Sequence, residues 1–256
     1  CLRSLTMDVA ASGALGDGVD VEVSIYDDTV EAIPVRRIAR KLRTRDAELL
    51  VGLVGVQSNQ FIRATDLAAQ FRALGVPVVV GGFHVSGMLA MFDDITPDLQ
   101  RLLDMGVSLF QGEAEAPGAL AGLLRDALAR ELQPVYRQTG FPVLTHAGAP
   151  EPDLDYLKHL KCSSMGTLDT SRGCPFGCSF CTVINVQGRR LRSRSAACIL
   201  QSIRTSYERG INMWFFTDDN LARSPVWEEL FEGLAAMRER GMGISFMMQV
   251  DTRASA

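Results

Sequence analysis

The chain has little cysteine, little aromatic content and no long apolar run, and each shortage removes a class of protein. Six cysteines in 256 residues are too sparse for a disulfide framework of the kind that staples small secreted domains. No apolar stretch approaches the roughly 20 residues that a bilayer-spanning helix needs, which argues against a membrane partner. Lysine and arginine total 26 against 30 aspartates and glutamates, a formal charge of −4. Without a long basic run there is no sign of a nucleic-acid groove. No export signal is read at the start of the chain. What remains is a globular chain with 47% apolar residues, enough to bury one large core or two ordinary ones; two is the reading taken.

Half of the cysteines fall within eight residues, Cys174-Pro175-Phe176-Gly177-Cys178-Ser179-Phe180-Cys181. Iron-sulfur clusters are held by cysteine thiolates, and four ligands are usual for a cluster that only carries electrons. Three thiolates leave one iron open to bind something else. Gly173, Pro175 and Gly177 suit a backbone that must wrap closely around an inorganic core. A structural zinc site would want four closed ligands, often as two separated pairs, and only His159 and Cys162 lie nearby on the N-terminal side. Cys1, Cys162 and Cys198 stand among ordinary residues and fit the pattern of inert thiols.

The spacing C-x3-C-x2-C, with an aromatic residue before the last cysteine, resembles the signature of the radical S-adenosylmethionine (SAM) enzymes. The resemblance implies a 4Fe-4S cluster on Cys174, Cys178 and Cys181. Its fourth iron would be chelated by the amino and carboxylate groups of SAM, with Phe180 near the adenine. A reduced cluster of this kind splits SAM into methionine and a 5′-deoxyadenosyl radical. An external low-potential donor, a flavodoxin or ferredoxin, is implied as partner. Oxygen-sensitive chemistry without an export signal places the expectation in the cytoplasm.

From Val21 to about Arg130, β-rich runs alternate with helical ones, a pattern that favours a parallel sheet covered by helices. Strands are predicted at Val21–Tyr26, Leu49–Val56, Val76–Val80 and Val107–Phe110. Helices are predicted at Pro34–Thr44, Ala64–Leu74 and Ala114–Arg130. Leu67, Phe71 and Leu74 repeat at helical spacing and read as core. Ligands of such sheets bind beyond the strand carboxyl ends, which directs attention to Gln57, Ser58 and Asn59, to Gly81, Gly82, Phe83 and His84 with Val85, Ser86 and Gly87 after them, and to Gln111, Gly112, Glu113, Ala114 and Glu115. Together, upstream of the cysteine loop, these segments resemble the cobalamin-binding domain of two-domain radical SAM enzymes. The D-x-H-x-x-G pattern of proteins that ligate cobalt through histidine is absent. The resemblance therefore implies cobalamin held without a histidine on cobalt. Leu2–Ala11 resembles the family's first helix without its preceding strand.

Prolines 134, 142, 150 and 152 mark a linker, since proline disrupts helix interiors and central strands. Beyond it, strands are predicted at Gly166–Ser171, Ile211–Thr217 and Ile244–Val250, and helices at Ser195–Arg209 and Pro225–Arg240. Such repeats suggest a barrel with its chemistry at the strand carboxyl ends. There, the resemblance to radical SAM enzymes implies that Asp218 or Asp219 holds the ammonium of SAM through a charge-assisted bond, and Gln249 and Asp251 are candidates facing the same cavity. Capping of a helix is the competing reading for Asn220. The basic cluster Arg189, Arg190, Arg192 and Arg194 is either a solvated loop or an anchor for anionic cofactor groups.

The expected architecture is thus α/β: a Rossmann-like, cobalamin-binding-like domain over 1–132, a linker over 133–165, and the N-terminal half of a radical SAM β/α barrel over 166–256. Only about three of the six barrel strands fit, so the chain is expected to be a fragment. The resemblance points to methylation, cyclisation or rearrangement of an unknown substrate, with no catalytic residue assigned. Two alternatives remain, a radical SAM enzyme whose first domain binds no cobalamin and a non-catalytic iron-sulfur protein for electron transfer or sensing.

Overall fold

A computed structural model describes residues 2–44, 47–145 and 165–251. It divides into two compact units, one ending at Pro142 and one beginning at Val143. Cys1, Pro150, Pro152, His159 and Cys162, read from the sequence above, lie outside the described residues.

The first unit is built on four parallel strands in the order β1-β2-β3-β4: β1 Val51–Leu53, β2 Val78–Gly81, β3 Ser108–Gln111 and β4 Val135–Arg137. The α/β expectation holds for this sheet. Val78 and Val80 have no exposed surface, nor does Leu109, as befits strands covered on both faces. Helices α1 Leu2–Ala11, α2 Val35–Thr44, α3 Phe61–Arg72, α4 Phe83–Met91, α5 Pro97–Asp104 and α6 Ala119–Ala129 connect and cover them. The core gathers Phe61, Leu67 and Phe71 of α3, Leu99 and Leu102 of α5, and the valines of β2.

Several local expectations change. Val21–Tyr26 forms no strand: a β-rich run becomes a strand only where a neighbouring edge offers it a ladder of hydrogen bonds. Leu74 lies past the end of α3 and is exposed, so it drops out of the core stripe that Leu67 and Phe71 supply. The segment after Gly82 is helix α4 from its first residue. Helix α5 carries proline at its first position and an aspartate in its first turn, both favourable at a helix start. β4 lies inside the stretch read as linker and pairs with β3 through Phe110 and Tyr136.

The second unit contains three parallel strands in the order β5-β8-β9: β5 Met165–Leu168, β8 Met213–Phe216 and β9 Ser245–Met247. Helices α8 Ala196–Glu208 and α9 Trp227–Glu239 follow the β-α order predicted, with the short helix α7 Val183–Val186 before them. Gly166 is paired with Trp214, and a Cβ at Gly166 would stand 2.7 Å from the indole; glycine here makes room for the ring. Ile199 and Ile203 of α8, Leu230 and Leu234 of α9 and Phe216 of β8 share one buried cluster. Ser195 caps α8, its hydroxyl accepting from the Cys198 N–H at 3.3 Å. The predicted strand Gly166–Ser171 is in fact two: β5 ends at Leu168, and Ser171–Arg172 forms β6, antiparallel to β7 Arg192–Ser193.

Gly82 is the tightest approach of backbone to backbone among the described glycines of the first unit. Its φ is +138°, and a Cβ there would lie 2.2 Å from the Val56 nitrogen. The closeness lets Val56 N–H donate to Gly81 C=O at 3.1 Å and His84 N–H to Val56 C=O at 3.0 Å. Gly82→Ala is expected to destabilise the first unit by about 2–4 kcal/mol, from backbone strain plus steric overlap. A urea unfolding midpoint unchanged from wild type would contradict this.

Candidate functional site

In each unit the polar residues collect beyond the carboxyl ends of parallel strands, the place where α/β sheets bind ligands.

In the first unit, His84 is held on every side. Its Nε2 lies 2.9 Å from Asp98 Oδ2, its Nδ1 lies 3.1 Å from Ser58 Oγ, and its ring meets that of Phe61 at 4.0 Å between centroids. Both ring nitrogens are thus engaged within the protein, which favours the reading of His84 as a loop-fixing histidine over one that ligates a metal. Gln57 is exposed, and its N–H donates to Gln60 Oε1 at 3.1 Å. Gly81 and Phe83 flank the Gly82 joint and are half-buried. Gly112 N–H donates to the buried Ser86 hydroxyl at 3.0 Å. The N–H of the buried Glu113 donates to the Gln138 side-chain carbonyl. The loops after β1 and β2 are therefore locked to each other, and those after β3 and β4 likewise. Asp98 and Gln138 are members that the sequence reading missed, while Ser86 lies in the segment after β2 that it singled out.

In the second unit, the cysteine loop leaves from Gly173. Its φ is +90°, and a Cβ would sit 2.6 Å from Arg190 C=O, so a side chain here would collide with the returning strand. Cys174 N–H donates to Gly188 C=O at 3.2 Å and Cys181 N–H to Cys178 C=O at 3.1 Å. Cys174 and Cys181 are half-buried, Cys178 is exposed, and all three are free thiols. Phe180 is 88% exposed. As a donor set, three free thiols on one glycine-bounded loop fit an iron-sulfur cluster in kind. Among the described residues, no three histidine, cysteine or carboxylate side chains already converge as a metal cage.

Facing that loop's root are the ends of β5, β8 and β9. Asp218 is 1% exposed. Its carboxylate accepts from Thr170 N–H at 2.9 Å, from Thr170 Oγ1 at 2.6 Å and from Ser171 Oγ at 2.6 Å. Burial raises its pKa, and those hydrogen bonds offset only part of the rise. Asp219 is half-buried with no hydrogen bond among the described residues, and burial together with the Asp218 charge raises its pKa as well. Asn220 does not cap a helix. Its amide instead donates to Asp251 Oδ2 at 2.8 Å and accepts from Asp251 N–H at 3.3 Å, tying the end of β8 to the end of β9. Arg223 grips the same Asp251 through two bonds of 2.9 and 3.2 Å and stands 5.6 Å over the Phe176 ring, a cation–π distance that reaches the cysteine loop. Gln249 offers its C=O to Leu221 N–H, while its side chain is exposed.

The arginine cluster divides. Arg194 is 1% exposed and donates to the Asp169 carboxylate and C=O, and Arg172 donates to Asp169 as well. Arg192 donates to Gln187 C=O. Arg189 and Arg190 are exposed. Neither of the two readings offered for the cluster as a whole describes Arg194, which is itself buried and neutralises the half-buried Asp169 carboxylate. Asp169 and Thr170 were missed because the strand was predicted to run on through Ser171, whereas β5 ends at Leu168 and leaves them at its carboxyl end.

No protein-family model matches the chain. It is 28% identical over 198 residues to bacteriochlorophyllide d C-8(2)-methyltransferase of Chlorobaculum tepidum, a match covering 70% of this chain and 40% of that protein. It is 36% identical over 134 residues to hopanoid C-3 methylase of Methylococcus capsulatus, covering 46% of this chain and 25% of that one. The chain thus spans well under half the length of both curated relatives. In fold it resembles the radical SAM methyltransferase TsrM of Kitasatospora setae, solved with cobalamin and a 4Fe-4S cluster bound. The TM-score is 0.56 at 17% identity, over 92% of this chain and 48% of that one. No helix among the described residues is long and apolar enough to cross a membrane.

Because Asp219 binds its proton more tightly in the folded chain than in the unfolded one, its contribution to stability is complete below the ordinary carboxylate value and is lost as pH rises through the folded value. Asp219→Asn is therefore expected to raise the thermal midpoint at pH 7, with the gain disappearing below the ordinary Asp value of 3.8. A gain that persists unchanged in acid would contradict the burial-and-charge account.

Proposed function

We propose that this chain is part of a radical SAM enzyme that uses a 4Fe-4S cluster and cobalamin to modify carbon, with methylation as the favoured outcome. One observation carries the reading: three free thiols at C-x3-C-x2-C spacing leave from the root of a parallel β-α sheet in a chain whose fold matches TsrM over 92% of its length. The methyltransferase names of the two curated relatives support the choice of reaction.

Cys174, Cys178 and Cys181 would hold the cluster, and the first unit's strand-end loops would hold cobalamin. When bound, the cluster supplies the electron that splits SAM, and cobalamin supplies a carrier for a methyl group. The chain's own contribution is placement. Asp219, half-buried at the end of β8, is the carboxylate left to face an ammonium, since both oxygens of Asp218 are already occupied. Phe180, exposed on the loop, would supply an apolar face for the adenine. Gly81, Gly82 and Gly112 let the strand-end loops close on one another, and the rim so formed is where cobalamin would lie. The engaged ring nitrogens of His84 agree with cobalamin held without histidine on cobalt. The three-stranded sheet of the second unit would be the opening part of a β/α barrel. A flavodoxin or ferredoxin is the proposed electron donor and the cytoplasm the proposed compartment.

Anaerobic reconstitution with iron, sulfide and hydroxocobalamin tests the reading, with bound cobalt and 5′-deoxyadenosine measured after reduction with SAM. The expected result is about one cobalt per chain together with deoxyadenosine that disappears in Cys178→Ala. An intact cluster with neither product nor cobalt would contradict it and favour an electron-transfer or sensing protein.

A further inference from the structure

We infer that Asp218 is a positioning residue: its buried carboxylate fixes the point from which the cysteine loop starts, and it contacts no cofactor itself. The inference rests on the reading of Cys174, Cys178 and Cys181 as cluster ligands and deepens it by naming what sets their origin.

Asp218 has no surface to offer a ligand. At 1% exposure, Oδ2 takes the Thr170 N–H, and Oδ1 takes the hydroxyls of Thr170 and Ser171. Thr170 is itself wholly buried, and its C=O accepts the Arg194 N–H at 2.9 Å. The residue is therefore bound through its N–H, its hydroxyl and its carbonyl at once. One residue earlier, the Asp169 carboxylate is held by Arg172 and Arg194. From Thr170 the chain passes through the β6–β7 ribbon, whose register pairs Ser171 with Ser193 and Arg172 with Arg192. It then reaches Gly173, whose N–H donates to Gln187 Oε1 at 3.1 Å, and Cys174, whose N–H donates to Gly188 C=O. Each joint between Asp218 and the first thiol is thus fixed by a named bond. Removing the carboxylate leaves three buried donors unpaired at the start of that path, and four residues on, Cys174 loses its fixed origin.

The geometry separates this role from that of a charged ligand. Asparagine retains the shape of aspartate and can serve the same partners: its carbonyl accepts the Thr170 N–H, and its NH2 donates to hydroxyls that rotate to accept. It cannot supply a negative charge. Positioning therefore survives Asp218→Asn and fails in Asp218→Ala, whereas ammonium binding fails in both.

The test is iron and sulfide bound per folded chain after anaerobic reconstitution at limiting iron, with the folded fraction measured by circular dichroism. Asp218→Ala is expected to load about threefold less cluster or worse, and Asp218→Asn to stay within about twofold of wild type. Should Asp218→Ala not fold, the double variant Thr170→Val/Ser171→Ala, which removes both hydroxyl donors, is expected to show the same deficit. Full loading of Asp218→Ala or of the double variant would overturn the inference, as would Asp218→Asn loading as poorly as Asp218→Ala. Alanine at each of the three cysteines is the parallel control. If iron binding survives all three, the cluster reading fails, and Asp218 is then judged by amide hydrogen exchange of the metal-free protein at Ser171 and Cys174. Faster exchange in Asp218→Ala than in Asp218→Asn sustains positioning, and equal exchange overturns it.

Discussion

A buried carboxylate that receives three hydrogen bonds from two adjacent residues joins the end of β8 to the turn after β5, and the remaining polar features of the second unit are arranged around that bond set. Asp218 sits where water cannot reach it, so its donors must be supplied by the protein. Thr170 and Ser171 supply them and are themselves brought to rest in doing so. The carboxylate next to it, Asp219, is left outside this closed set, and burial together with its neighbour's charge raises its proton affinity. Environment alone thus separates two adjacent aspartates, one buried and hydrogen-bonded on both oxygens and one half-buried. The Arg223–Asp251–Asn220 group performs a parallel service at the ends of β8 and β9, with Arg223 extending to Phe176 of the cysteine loop.

The first unit solves a similar problem with backbone in place of charge. Its strand-end loops approach one another so closely that Gly82 has no room for a Cβ, and the resulting contacts run from one loop's main chain to the next. Side chains enter as struts: Ser58 and Asp98 on His84, Ser86 on Gly112, and Gln138 on Glu113. A rim built this way holds the loops at the sheet's carboxyl edge to one another by main-chain and side-chain bonds.

Much of this was legible in the sequence. The α/β alternation, the positions of α2, α8 and α9, the buried runs around Val78–Val80 and Met213–Phe216, and the cysteine loop all follow from periodicity, turn residues and spacing. What escaped has a physical cause in each case. Val21–Tyr26 has strand composition, but pairing is a tertiary property. Helix α4 starts immediately after a glycine doublet that reads as a turn, and only the approach of Val56 makes Gly82 a junction between strand and helix. Asp218 and Asp219 are indistinguishable as letters, and burial separates them. Arg194 looked like one of four solvated or cofactor-binding arginines, while its partner Asp169 lies 25 residues away in sequence.

The proposed function stands on three cysteine thiolates holding a cluster with one iron open to SAM. Electron paramagnetic resonance of the reconstituted, reduced protein, recorded with and without saturating SAM, tests it most directly. The account predicts a 4Fe-4S signal whose g-values shift when SAM is added. A signal that SAM leaves unchanged would contradict it, because the fourth iron would then already be closed by a ligand from the protein.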